Sequence, residues 1–254
     1  MARAIVWRCG LLITRRFSRC ITLRSQPTKR LHAKLQWLGS LKVDHIIYQH
    51  IDDQHVDTLR FVKDCSEWFN EPIEVHQSPL KSVENACRFR SYINGIRGAA
   101  CSRMLKRELR VQWEHDNSTL GRLRYVWGFD CTERGRIDRI IHTMPYVDHL
   151  FPLRDAGITK AEAHGYLKKV GIPRPTMYDL GYPNNNCIGC VKGGMGYWNK
   201  IRIDFPKVFA ARSALERLIG GTCINGTYLD ELDTSRGKDS PIIVPDCGAM
   251  CENV

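Results

Sequence analysis

The residues best suited to chemistry are thiols. In "YPNNNCIGCVKGGMGYWNK" (182–200), Cys187 and Cys190 form a Cys-x-x-Cys pair among asparagines and glycines. That composition cannot sustain a helix interior or a central strand, because Gly and Asn carry the backbone through tight turns and left-handed conformations. A second close pair, Cys247 and Cys251, sits in "PDCGAMC" near the end of the chain. Two thiolate pairs can complete a tetrahedral zinc site or hold an iron–sulfur cluster. Redox chemistry or plain packing are the alternatives for Cys187 and Cys190.

Anion chemistry has three further candidates. "IDDQHVDT" sets Asp52, Asp53 and His55 at the end of an apolar run and before a helical pattern. There they either cap the helix or serve a ligand, and a helix N-terminus suits phosphate. "RGAACSRMLKREL" places Cys101 at the start of a helix carrying Arg103, Lys106 and Arg107. Cations and a helix start would activate a thiol or receive phosphate or sulfate, whereas the bland reading is packing and a solvated basic face. In "VWGFDCTERGR", Gly128 permits close backbone approach and Glu133, Arg134 and Arg136 open a helix. Arginine there can fork onto an anion or form an ordinary surface pair with Glu133.

These candidates need a scaffold, and its pattern is legible from Asp44 onward. "HIIYQHID" reads as a strand, followed by a helix over "HVDTLRFVKDCSEWF" with Leu59, Val62, Cys65 and Phe69 on one face. "PIEVHQ" and "RLRYVWGFD" are two more strands, and helices are expected over 81–94, 103–115, 133–143, 159–170 and 199–218. Strands alternating with helices predict an α/β fold with a parallel sheet and helices on both faces. In such sheets ligands sit outside the carboxyl ends of the strands, where Asp52, His55 and Gly128 to Arg136 fall. The division expected is 1–43 as a basic segment, 44–180 as the α/β domain, and 181–254 as a small Cys-containing region packed on it.

Charge separates the N-terminus from the rest. Residues 1–43 hold ten of the 38 Lys and Arg and none of the 27 Asp and Glu, which leaves 28 basic against 27 acidic residues beyond them. The near-neutral body argues for an evenly solvated surface rather than a nucleic-acid face. No apolar run reaches membrane-spanning length, so no membrane partner is expected. Eleven cysteines without a secretory signal point to reduced thiols or metal ligands and a cytoplasmic location. The first residues open like a buried strand at Ala4-Ile5-Val6-Trp7 and then lose all pattern. A transit segment and a disordered basic arm are two readings of 1–43.

Taken in order, "IDDQHVDTLRFVKDC", "RGAACSRMLKREL", "VWGFDCTERGR" and "FPLRDAGITKAEAHGYLKKVGIPRPTMYDLGYPNNNCIGC" resemble the phosphoadenosine phosphosulfate reductase family, a PP-loop branch of the adenine-nucleotide hydrolase-like fold. The closest flavour is that of bacterial and phage-type members, and the likeness spans about 44–251. It implies a Rossmann-like sheet that binds ATP or adenylyl sulfate across its strand ends, with a thioredoxin-type thiol reductant as partner. Matched residue by residue, Asp52 and the turn from His55 to Thr58 fall on the adenosine side. Cys101 and Lys106 fall near the anionic end, Gly128, Glu133 and Arg136 in a Gly-to-Glu-x-x-Arg loop, and Tyr178, Gly181 and Cys187 in the cysteine-bearing run. An ATP pyrophosphatase that adenylates a substrate for thiolation is the enzymatic alternative.

The chain departs from that family twice. The Ser-Gly-Gly-x-x-Ser loop, whose backbone N–H groups cradle phosphate, is replaced by Arg8-Cys9-Gly10-Leu11-Leu12. The reductase motif Glu-Cys-Gly-(Leu/Ile)-His is only echoed by Asp246-Cys247-Gly248-Ala249-Met250. A nucleotide- or metal-binding relative without catalysis is therefore a third reading, and no residue is assigned a catalytic role. A third account of 1–43 also follows. With suitable codons, the bases encoding Val6 to Leu12 read Ser-Gly-Gly-Ala-Asp-Ser in a neighbouring frame, which the gene sequence would decide.

Overall fold

A computed structural model describes residues 43–96, 98–238 and 242, and the backbone of strand β1, Arg3–Arg8. The chain forms two compact units that interleave along the sequence. The first takes Met1–Tyr48, Leu59–Val75 and Asn117–Arg174, and the second Gln49–Thr58, His76–Asp116 and Pro175–Val254.

The first unit is built on a five-stranded sheet in the order β3-β2-β1-β6-β7. Its members are β1, β2 (His45–His50), β3 (Glu74–Gln77), β6 (Leu123–Val126) and β7 (Asp148–Leu150). β1 pairs in parallel with β2 and with β6, and β6 in parallel with β7. The strand-like opening of the chain is thus a strand between two neighbours. The rest of the basic segment up to residue 42 lies outside the described residues. In β2 every residue between the two end histidines is buried, as an interior strand covered on both faces requires.

Parallel strands need a crossover, and between β6 and β7 it is α4 (Arg134–Thr143), which buries Ile137 and Ile140. Helix α1 (Asp57–Phe69) presents Phe61, Cys65 and Phe69 to a core completed by Val43, Ile46, Val126, Leu167 and Ile172. The expected face included Leu59, which is 43% exposed, with Phe61 buried instead. Leu59 lies three residues before Val62 and Phe61 four before Cys65, so both fit helical spacing and spacing alone could not rank them. After the short α5 (Pro152–Asp155), helix α6 (Lys160–Lys169) starts with a capping box: the Thr159 hydroxyl accepts from Glu162 N–H, and the Glu162 carboxylate accepts from Thr159 N–H.

The second unit is helical around a two-stranded hairpin, β4 (Asn94–Gly95) and β5 (Gly98–Ala99). Helix α2 (Val83–Arg90) is capped by Ser82, whose hydroxyl accepts from Asn85 N–H, and ends at Ser91 with φ of 47°. It stops short of the expected 94 because the chain turns there into the hairpin. A continuous helical run over 100–116, α3, contains a π-helical turn at Arg103–Arg107. After the short α7 (Thr176–Asp179) come α8 (Met195–Asp204) and α9 (Pro206–Ile219). A single helix was expected over 199–218. Pro206 divides it, since a proline has no N–H to continue the first helix and fits the first turn of the second. Trp198, Tyr197, Leu105, Val191 and Ile201 form the centre of this unit's core. Among the described residues no helix is long and apolar enough to cross a membrane.

Candidate functional sites

In the first unit the chain order reverses between β1 and β6. Strands β2 and β3 extend the sheet on one side of that junction and β7 on the other. The loop leaving the carboxyl end of β6 carries Gly128, Glu133 and Arg136. Gly128 is buried, and Asp130, also buried, accepts from the N–H and the hydroxyl of Thr132 at 2.7 and 2.6 Å. Glu133 reaches back to accept from Asp130 N–H at 2.9 Å and pairs with Arg136. The Arg136 guanidinium lies 4.6 Å from the centre of the Phe129 ring. The loop is therefore held in one conformation by its own side chains, with its arginine over an aromatic face.

Tyr125, Trp127, Phe129 and Phe151 are buried and pack as an aromatic cluster. Tyr125 stacks on Trp127 and Trp127 on Phe129, at 5.3 and 5.9 Å, while His149 stacks on Phe151 at 6.0 Å and Arg154 lies over Phe151. The Trp127 indole N–H donates to His149 Nδ1 at 2.9 Å, so the other ring nitrogen, 2.9 Å from the Met144 carbonyl oxygen, carries the proton. One histidine thus joins β7 to the end of α4.

The second unit places the remaining candidates. The Asp52 carboxylate is exposed and accepts from Gln77 Nε2 at 2.6 Å. His55 Nδ1 accepts from Asp57 N–H at 3.2 Å, which caps the start of α1. Asp53, beside them, has a structural task. Its carboxylate pairs with Arg212 and accepts from Val83 N–H at 2.6 Å, and its carbonyl accepts from Ile188 N–H at 2.8 Å. Arg212 also donates to the Gly189 carbonyl at 3.3 Å. The loop after β2, the start of α2, helix α9 and the Cys187–Cys190 loop are thereby joined through one buried ion pair.

Cys187, Cys190, Cys101 and Lys106 line one small pocket, together with Ile51, Val83, Ser102 and Val191. The glycine pattern of this run now has physical causes. Gly189 has φ of 68°, and a Cβ there would stand 2.6 Å from Val208. A Cβ on Gly193 would fall inside the Tyr197 ring, and one on Gly196 would meet the Gly237 carbonyl oxygen at 2.5 Å. The Tyr197 hydroxyl accepts from Cys190 N–H at 2.8 Å and donates to the Cys187 carbonyl at 3.2 Å, a clasp across the loop. Burial, and then the neighbouring Cys190 thiol, hold that phenol well above its ordinary range, so it stays protonated and able to donate. Asn185 is buried and exchanges side-chain hydrogen bonds with Thr58.

Cys247 and Cys251 lie outside the described residues. Among the described residues no three His, Cys, Asp or Glu side chains converge as a metal-binding group, so the zinc or iron–sulfur expectation has only Cys187 and Cys190 to rest on here. Arg212 and Tyr197 were not among the sequence candidates. The Gly-Gly-x-Gly-Tyr spacing was the available signal for Tyr197, while nothing local pairs Arg212 with a residue 159 positions away. Protein-family models, curated proteins and solved structures contain no match to this chain.

Proposed function

We propose that this chain is an adenine-nucleotide-binding protein on a Rossmann-like scaffold, related in function to the phosphoadenosine phosphosulfate reductases that its motifs resemble. The observation that carries the reading is the reversal of strand order between β1 and β6, with the Gly128-to-Arg136 loop leaving β6 at its carboxyl end. Ligands of open α/β sheets collect at such a junction. A buried glycine there allows close backbone approach, the start of α4 favours negative charge, and Arg136 offers a planar fork for a phosphate or sulfate oxygen.

Binding and turnover are separate claims. The first rests on the β6 loop. The second is weakened by Cys9-Gly10-Leu11-Leu12, which follows β1 where the family carries its phosphate-cradling loop. In a relative with that loop, Arg136 would be a group to stabilise charge on the departing phosphate or sulfite. Calorimetric titration of the full chain with ATP, adenylyl sulfate and phosphoadenylyl sulfate tests the reading. Saturable binding that Arg136→Ala weakens supports it, and no heat with any of the three overturns it. Release of sulfite from an adenylyl sulfate would mark a reductase, and release of pyrophosphate from ATP an adenylating enzyme.

A further inference from the structure

The near balance of charge beyond residue 43 conceals one uneven stretch. Between Glu84 and Glu108 the chain holds six Lys or Arg and no Asp or Glu. Lys106 is buried, and the exposed cations described in this stretch are all arginines: Arg88, Arg90 and Arg103. Arg88 and Arg103 form surface pairs with Glu84 and Glu108, the acids that bracket the stretch. Arg90 has no ion pair among the described residues. The same stretch exposes two large apolar side chains, Phe89 at 67% and Ile96 at 100%.

The fold keeps these side chains outside on an anchored base. Helix α2 buries Val83, Ala86 and Cys87, which leaves Arg88, Phe89 and Arg90 exposed on its last turn. The left-handed Ser91 ends the helix there, and Tyr92 N–H returns to the Cys87 carbonyl at 3.1 Å. The hairpin then starts from Ile93, a core residue, and is tied back where Ala100 N–H donates to the Ile93 carbonyl at 3.1 Å. A Cβ on Gly95 would stand 2.5 Å from the Tyr92 hydroxyl, so that ring braces the hairpin beside its tip. Ile96 follows at the tip, carried outward instead of being folded onto the core.

We infer that the end of α2 and the β4–β5 hairpin form a docking surface for single-stranded nucleic acid. The cations choose phosphate: a guanidinium presents a planar fork that matches two phosphate oxygens, and the exposed cations here are arginines. The ring chooses bases. Phe89 stands between Arg88 and Arg90, and single strands are held by aromatic platforms for the bases with cations along the backbone. Bases in a duplex already stack on one another, so an exposed ring gains a partner only from an unpaired base. Ile96 suits the same ligand as an apolar wedge against a base face. An anionic bilayer is a poorer fit, because amphipathic elements that bind it bury a continuous apolar face, whereas Phe89 and Ile96 are separate side chains on different elements. The surface lies wholly in the second unit and uses no residue of the β6 loop, so it stands apart from the nucleotide reading.

The test cross-links the full chain, without ATP, to mixed-sequence single-stranded DNA and RNA oligonucleotides carrying iodouracil, and maps the adducts by peptide. The expected adducts fall on peptides holding Phe89 or Ile96. In anisotropy titrations Phe89→Ala should weaken single-strand binding about tenfold, the effect of losing one stacked base, and Ile96→Ser should weaken it too. Arg90→Gln should lower the slope of log affinity against log salt by about 0.7, the counterion share of one phosphate contact on a single strand. The ten cations of residues 1–43 add a background common to wild type and variants, so the change from wild type is what is read. A duplex of the same sequence should bind more weakly and ignore Phe89→Ala. The proposal is overturned if every adduct lies outside 84–107, if Phe89→Ala leaves single-strand affinity unchanged, or if the duplex binds as tightly. It is equally overturned if Phe89→Ala and Ile96→Ser abolish binding to phosphatidylserine vesicles and leave oligonucleotide binding intact. The wild-type adduct map decides alone should a variant fail to fold.

Discussion

Replacing Arg212 by alanine tests how the second unit is held together. The side chains of Arg212 and Asp53 are 4% and 16% exposed, against 76% and 67% for the surface pair Lys63 and Glu67. Exposed pairs contribute up to about 1 kcal/mol, whereas removing one partner of a buried pair costs about 3–5 kcal/mol, because the remaining charge keeps its desolvation without its counter-ion. Without Arg212, the buried Asp53 carboxylate keeps its hydrogen bond from Val83 N–H but loses its cation, and the Gly189 carbonyl loses a donor. The expected destabilisation of Arg212→Ala therefore lies in the upper range, about 3–5 kcal/mol. Arg212→Lys should recover only part of it, since an ammonium cannot present the guanidinium fork to Asp53 and Gly189 together. Asp53→Asn combined with Arg212→Met should cost less than Arg212→Ala, because no bare charge remains. Urea unfolding followed by the fluorescence of Trp198, fully buried in the same core, reads all three. A loss below about 1 kcal/mol for Arg212→Ala, or full rescue by lysine, would refute the reasoning.

Other expectations follow from the same unit. Gly193→Ala drives a methyl into the Tyr197 ring and should destabilise by about 1–3 kcal/mol, measured by urea unfolding. Tyr197→Phe removes the clasp and leaves Cys190 N–H without its hydroxyl partner, at a cost of about 1–3 kcal/mol. It should also loosen hydrogen exchange at Cys190. Burial pushes the Cys87 thiol from 9 up to about 11. An unfolded chain ionises that thiol first, so its contribution is complete below pH 9 and is lost as pH rises through about 11. Over that window it amounts to about 3 kcal/mol. The pH slope of stability between 9 and 11 should flatten in Cys87→Ala, and an unchanged slope would contradict the assignment.

Local chemistry was legible where a signal lies within a few residues. The strand at Ala4 to Trp7, the pattern of β2 and the turn-forming character of 182–200 can all be read from neighbouring side chains. β7 escaped because Asp-His-Leu is too short and too polar to carry a period, and its membership of the sheet is conferred by pairing with β6. The π-helical turn escaped for a different reason. Its support comes from Gln49 and Ser78, both distant in sequence from Lys106. Asp53 looks like a ligand in a list of residue types, yet it neutralises Arg212. Residue type and spacing cannot distinguish a carboxylate that serves a ligand from one that serves a distant arginine.

The proposed docking of adenine nucleotide at the loop leaving β6 is open to direct test. Photolabelling the full chain with an azido-adenine analogue of ATP, with unlabelled ATP as competitor and peptide mapping of the adduct, tests it most directly. Saturable, competable label on the peptide spanning Trp127 to Arg136 is the predicted result. Labelling that is absent, not competed, or confined to peptides away from that loop would contradict it.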